Sequence, residues 1–288
     1  MIEKNSKIGI VCCSNGQLKS YEEKINKLLD KIREIGYEPV CSKYIYEKDS
    51  YFSATGEERA KALLEFYESN EIKAIFDISG GDIANEILDY LDFDIIKNNS
   101  KPFYGYSDLT TIVNAIYAKT GIKSGIYQIR NLIYDEEENQ TVAFKETFLE
   151  GKDTLNNINY YFVQEGYMEG EIIGGNIRCF LKLAGTEYMP DFIGKILLLE
   201  SLNATSPQVM TYFCQLKQLG VFEKINGILL GTFTRLDSEI FVPSVEEIAQ
   251  KVVGRDIPIA RTMDIGHGAD AKCVYVGEKM KFRSDIVL

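Results

Sequence analysis

The sequence predicts an α/β protein with a mostly parallel sheet in its first half and a smaller α/β unit in its second. Three observations lead there. Short β-branched apolar runs alternate with segments of helical period, and a sheet made that way is covered on both faces. Those runs are continuously apolar instead of alternating. The regular alternation then changes character after about residue 150. In order, KIGIVCC (7–13) is a strand that stops at the turn cluster Ser14-Asn15-Gly16. Residues 20–35 place Ile25, Leu28, Leu29, Ile32 and Ile35 three and four apart, an amphipathic helix ended by Gly36. A short strand near 38–41 follows, then a helix over 56–69 with Ala60, Leu63, Leu64 and Tyr67 on one face. AIFDIS (74–79) is a strand leading through Gly80-Gly81-Asp82 into a helix expected to run to Leu91. PFYGYS (102–107) is another strand, and Asp108 opens a helix containing Ile112, Ala115 and Ile116.

Beyond that point, 156–173 reads as short extended segments and GGNIRCFLKLAGTEY (174–188) as a glycine-rich turn entering a helix. GKILLLE (194–200) and NGILLGTF (226–233) are buried strands, each followed by a helix, over 206–219 and 244–253. CVYVGEKMKF (273–282) has the pattern of a hairpin turning at Gly277-Glu278. The expected division is a first domain over 1–150, a linker over 151–165 and a second domain over 166–288.

Composition narrows the function. With 32 basic and 43 acidic side chains the net charge is −11, which argues against binding duplex DNA or an anionic membrane. At 45% hydrophobic and 26% charged, the 288 residues suffice for a sizeable core. No run of about 18 apolar residues occurs, so no bilayer span is expected. The N-terminal apolar stretch is too short for a signal-peptide core, so a cytoplasmic protein is expected. Cys12, Cys13, Cys41, Cys179, Cys214 and Cys273 form no C-x-x-C pair, and neither a disulfide framework nor a zinc site is expected. The chain has a single histidine, His267.

Candidate chemistry sits where strands end. Ser107 closes a strand and Asp108 begins a helix, so the hydroxyl lies at the carboxyl edge of a parallel sheet, where open α/β proteins bind ligands. The Asp108 N–H, unpaired at a helix start, suits an oxyanion, and Gly105 allows a tight elbow. On capping preference alone, Ser107 reads as an N-cap. Ser79-Gly80-Gly81-Asp82 offers free N–H groups at a second strand-to-helix turn, although by itself it reads as an ordinary glycine turn. Glu200 ends a buried strand, where a carboxylate either orients another side chain or meets solvent. His267 lies between glycines in DIGHGAD, off any apolar helix face, and is the one imidazole available as a base near neutral pH. A cysteine nucleophile lacks a nearby base. What remains is Ser107, Glu200 and His267, in the chain order of nucleophile, acid and base found in α/β-hydrolases.

These blocks resemble the LD-carboxypeptidase family of serine peptidases, which includes the microcin C self-immunity peptidases. The resemblance runs from IGIVCCSNG through ATGEERAKAL, IKAIFDISGGD and ILDYLDFDIIKNNSKPFYGYSDLT to GGNIRCFLKLAGTEYMPDFIGKILLLES, NGILLGTF and IPIARTMDIGHG. It implies a Rossmann-like N-terminal domain carrying the nucleophile and a C-terminal domain carrying glutamate and histidine. Ser107 is then the nucleophile, His267 the base and Glu200 the orienting carboxylate, with the oxyanion hole at Asp108 and the Gly80–Gly81 turn. Asp82 and Asn176 fall at substrate-binding positions. The implied substrate is a murein tetrapeptide losing D-alanine, or an aminoacyl- or peptidyl-nucleotide; the remaining alternative is a non-catalytic ligand-binding relative on the same fold. No cofactor or metal is implied, and a homodimer is. The chain departs from the pattern at Cys13, where most members have proline. Ser79 replaces a frequent arginine and Asp82 a frequent aromatic or asparagine. No tryptophan is present to stack a nucleotide, though 18 tyrosines are.

Overall fold

The computed structural model describes residues 1–238 and 243–284, arranged as two six-stranded sheets. In the first, β1 (Lys7–Val11), β2 (Glu38–Cys41), β3 (Ile72–Asp77), β4 (Phe103–Gly105) and β5 (Ser124–Ile126) run parallel in the order β5-β4-β3-β1-β2. The order reverses between β1 and β3. At such a reversal the loops leaving two adjacent strands splay apart and open a crevice at their carboxyl ends. Helix Glu22–Ile35 packs Ile25, Leu28, Ile32 and Ile35 inward and ends at Gly36, as its spacing predicts.

The second sheet takes β6 (Tyr161–Gln164), β7 (Tyr167–Asn176), β8 (Ile196–Ser201), β9 (Gly227–Phe233), β10 (Ile259–Arg261) and β12 (Lys279–Arg283) in the order β12-β7-β8-β9-β10-β6. β7 to β10 are parallel, and β6 and β12 are antiparallel edges. Every residue of β8 is buried, the signature of a central strand covered on both faces.

Four expectations are corrected. The anticipated C-terminal hairpin does not pair with itself. Its first arm, β11 (Val274–Val276), lies antiparallel to β5 in the first sheet, while β12 lies antiparallel to β7 in the second. The Gly277 N–H donates to Ile172 O, and the Ile172 N–H donates to Glu278 O, so the turn, which the Glu278 N–H closes onto Tyr275 O, is bonded to β7 while its two arms part. Alternating sequence marks both arms as strands but carries no information about their partners. Residues 161–164, expected in a linker, are the edge strand β6, and 274–276 return to the first sheet, so the sheets do not follow the expected division at these two places. The segment after Gly81-Asp82 is a three-ten helix, Ala84–Tyr90, which still buries Ala84, Ile87 and Leu88. Finally, Gly174-Gly175-Asn176 remain within β7, and the helix begins at Ile177 with Asn176 as its cap.

The halves are sewn together through backbone. The Asn114 side chain, fully buried in helix Thr110–Thr120, donates to Gly174 O at 2.8 Å and accepts from the Gly174 N–H at 2.9 Å. Four residues earlier, Thr110 Oγ1 accepts from the Asn176 N–H at 3.0 Å. The helix that follows Ser107 is thus registered against the end of β7. Among the described residues no helix is long and apolar enough to cross a membrane.

Candidate active site

Ser107 leaves β4 with φ +57°, a left-handed conformation that costs a non-glycine residue about 1–2 kcal/mol. The backbone there closes sharply: a Cβ on Gly105 would stand 2.5 Å from the Leu109 Cβ, so only glycine admits the elbow. Ser107 makes no capping bond to the following turn. Its Oγ instead lies 3.2 Å from His267 Nε2, and His267 Nδ1 lies 2.6 Å from Glu200 Oε2. Because a carboxylate can only accept, Nδ1 carries the ring proton and Nε2 is left to accept from the serine hydroxyl. The His267 and Glu200 side chains are 6% and 3% exposed, so this charge-assisted bond is shielded from water. Glu200 therefore does not meet solvent, the alternative its residue type allowed.

The loop bearing His267 is held against β9. The Thr232 N–H donates to Ile265 O, and Gly266 at φ +153° leaves no room for a side chain, since a Cβ there would sit 1.8 Å from Thr232 Oγ1. The Tyr106 ring packs on the imidazole with centroids 4.4 Å apart. Burial foremost, then the Glu200 charge, push the Tyr106 phenol far above its ordinary value, so it stays neutral.

Of the expected oxyanion groups, Gly81 lines the same cleft as Ser107, whereas Gly80 is outside that lining, with its carbonyl accepting the Asn15 N–H. The Gly81-Asp82 turn is pinned on several sides: the Asp82 N–H donates to Asn15 Oδ1, Lys182 Nζ to Asp82 O and an Arg178 N–H to Gly81 O. The Asp108 carboxylate is fully buried, accepting from the Ser14 hydroxyl, the Ala84 N–H and Lys182. Only its backbone N–H is left to face a substrate. The fully buried Ser79 donates to Asp77 and accepts from the Ser14 N–H, so its hydroxyl holds loops together and does not reach the cleft. Behind these loops, the buried Arg59 donates to Cys13 O and Ser14 O and pairs with Glu86.

The cleft, of about 320 Å³, draws Gly81, Asp82 and Ser107 from the first half and Asn176, Arg178 and Ser201 from the second. The Asn176 side-chain oxygen caps the Cys179 N–H, which leaves the amide nitrogen to donate elsewhere. A larger depression of about 720 Å³ lies at the opposite end of the second sheet, around Tyr167, Glu169 and Lys195, far from any nucleophile–base pair. Among the described residues, no group of three or more His, Cys, Asp or Glu could hold a metal ion.

Sequence reasoning missed Arg178 and Lys182, both of which act on the Gly81-Asp82 turn. Their four-residue spacing after Asn176 was the available signal, since such residues share one helical face. It also missed Asn114, a polar residue amid the apolar positions of its helix.

A strained hydroxyl at a sheet edge, hydrogen-bonded to an imidazole that is itself held by a buried carboxylate, has the geometry of a hydrolase able to attack a carbonyl. Residues 8–128 match the LD-carboxypeptidase N-terminal domain and residues 169–282 the LD-carboxypeptidase C-terminal domain, so the chain belongs to the LD-carboxypeptidase family. Among relatives, it is 27% identical to the microcin C7 self-immunity protein MccF of Escherichia coli, over 87% of this chain and 82% of that one. It is 26% identical to a probable murein peptide carboxypeptidase of Bacillus subtilis, over 89% and 83%. The solved structure of an MccF-like protein from Bacillus anthracis superposes with a TM-score of 0.87 at 26% identity, covering 99% of this chain and 95% of that one.

Proposed function

We propose that Ser107, His267 and Glu200 act as nucleophile, general base and orienting carboxylate of a carboxypeptidase that cleaves an L-to-D peptide bond, releasing terminal D-alanine from a murein tetrapeptide. The observation carrying this reading is the unbroken hydrogen-bond run from Glu200 through His267 to Ser107. His267 Nε2 takes the hydroxyl proton as Ser107 Oγ bonds to the scissile carbonyl carbon. The resulting oxyanion is held by the N–H groups of Asp108 and of the Gly80–Gly81 turn, with Gly81 the better placed. Collapse of the adduct breaks the C–N bond, and the imidazolium proton passes to the departing amine. Water then attacks the ester, giving one proton to His267, and the shortened peptide leaves as Ser107 regains its hydrogen. Asn176 and Asp82 line the path of the substrate.

A second reading, hydrolysis of an aminoacyl- or peptidyl-nucleotide, is favoured by the likeness to MccF, a self-immunity protein. The absence of tryptophan weighs against nucleotide stacking of the tryptophan kind. Either reading places the enzyme in the cytoplasm, and the family resemblance supports a dimer; fractionation and sedimentation test these. The primary test incubates the protein with a D-alanine-terminated tetrapeptide and, separately, with a sulfamoyl-adenylate conjugate, alongside fluorophosphonate labelling. Release of D-alanine with label on Ser107 supports the first reading. Turnover of the conjugate alone favours the second, and turnover of either by a Ser107→Ala protein overturns the nucleophile assignment.

A further inference from the structure

A carboxypeptidase must recognise a free carboxylate, yet the residues given a role in the reaction above include no lysine or arginine. Arg178 carries a positive charge. We propose that Arg178 is the anchor for the terminal carboxylate of the substrate, and so the residue that makes this site select peptide ends. The proposal rests on the reading of Ser107 as nucleophile.

Reach is the first argument. In a peptide about to lose its last residue, the terminal carboxylate carbon is three bonds from the scissile carbonyl carbon, so it lies within about 4 Å of it. With that carbonyl on Ser107 and its oxygen at the Gly81-Asp82 turn, the anchor has to sit beside the same turn. One Arg178 guanidinium nitrogen donates to Gly81 O at 3.0 Å, and the side chain lines the cleft together with Ser107.

Charge is the second argument. Among the described residues lining the cleft, Arg178 is the sole cation and Asp82 the only other charged group. The Asp82 carboxylate pairs with one Arg178 nitrogen. Asp82 and Gly81 O together engage two of the five guanidinium N–H groups, leaving three for a ligand. A surface pair of this exposure, 42% and 67% for the two side chains, adds little to stability by itself. What it does is hold a long, flexible side chain in one orientation. Asp82 is thus a positioning residue, and its place beside the glycine turn is explained by its hold on Arg178.

The test uses the catalytically silenced Ser107→Ala protein and two probes, an N-acetylated tetrapeptide ending in D-alanine and the same peptide as its C-terminal carboxamide. Calorimetry should show the acid bound at least about tenfold tighter than the amide, since only the acid offers a charge-assisted, two-oxygen acceptor. Adding Arg178→Gln should erase that preference by weakening the acid while leaving the amide within about twofold, and Arg178→Lys should restore part of it. A preference that survives Arg178→Gln, or no preference in the Ser107→Ala protein, overturns the anchor. Turnover by the wild-type protein is scored separately. If wild type releases no D-alanine but acid binding depends on Arg178, the hydrolytic reading fails and the anchor stands. If wild type releases D-alanine with no dependence on Arg178, the anchor fails and the hydrolytic reading stands.

Discussion

Glu200→Gln isolates the charge of the proposed orienting carboxylate from its shape. Before attack, Glu200 contributes a hydrogen bond to Nδ1 that fixes the ring orientation. In the proposed mechanism, as Ser107 attacks, the imidazole becomes a cation whose charge lies about 4 Å from that of the carboxylate. At the effective dielectric of about 20 that suits protein charge pairs, their attraction is about 4 kcal/mol. Glutamine forfeits that term in the transition state while losing far less in the ground state, and about 1.4 kcal/mol corresponds to a factor of ten in rate. The expected fall in kcat is therefore about 10³-fold, with KM changed little and with the melting temperature within a few degrees of wild type. The assay is D-alanine release under saturating peptide, with thermal unfolding followed in parallel. A folded Glu200→Gln protein retaining more than a tenth of the wild-type rate would refute the electrostatic role. Glu200→Asp keeps the charge but draws it back from Nδ1, lengthening the 2.6 Å contact, and should fall between the two.

Ser107→Ala should fold and lose at least about 10³-fold in kcat, and because φ at this position is +57°, Ser107→Gly should be more stable than Ser107→Ala by about 1 kcal/mol in urea unfolding. Asn114→Ala leaves the N–H and C=O of Gly174 buried without partners and should cost about 2–6 kcal/mol by the same measurement, at about 1–3 per orphaned group. Gly266→Ala sets a methyl 1.8 Å from Thr232 Oγ1, so the His267 loop must shift; D-alanine release should drop at least about tenfold, and Thr232→Ala in the same chain should recover part of it.

Much of the site is legible in the sequence because its signals are local. A serine two residues after Gly105 and next to a helix start, a glutamate closing a run of four apolar residues, and a lone histidine between glycines each announce a strand end or an irregular loop. Those are also the places where a parallel sheet presents side chains to a ligand. What stays hidden depends on partners far away in the chain. The left-handed φ of Ser107 is set by the approach of Leu109 to Gly105. Arg178 and Lys182 read as ordinary helix cations until the fold brings them 96 and 74 residues across, to Asp82 and Asp108. The terminal strands were recognisable as strands, yet their alternation could not show that Ile172 would take the turn between them and send one to each sheet.

That split bears directly on the proposed mechanism. Ser107 belongs to the first sheet, whereas Glu200 and the His267 loop rest on the second, so the 3.2 Å contact between Ser107 and His267 is a property of how the sheets are docked. Three independent ties fix that docking: Asn114 with Gly174, Lys182 with Asp108, and the crossing from β11 to β12 at Gly277. The first and second lie within a few residues of Ser107 and Asn176. The third closes the chain just after the histidine loop, with β11 leaving from it. A protein with its proposed nucleophile and base on different sheets has to make the seam as rigid as a core, and here the seam combines a buried amide bonded to backbone, an ion pair on a buried carboxylate and a strand crossing, which together tolerate little sliding. Loosening any one tie should therefore lower kcat through misalignment before it unfolds the chain, because about 1 Å of displacement at a reacting pair already costs on the order of a hundredfold in rate.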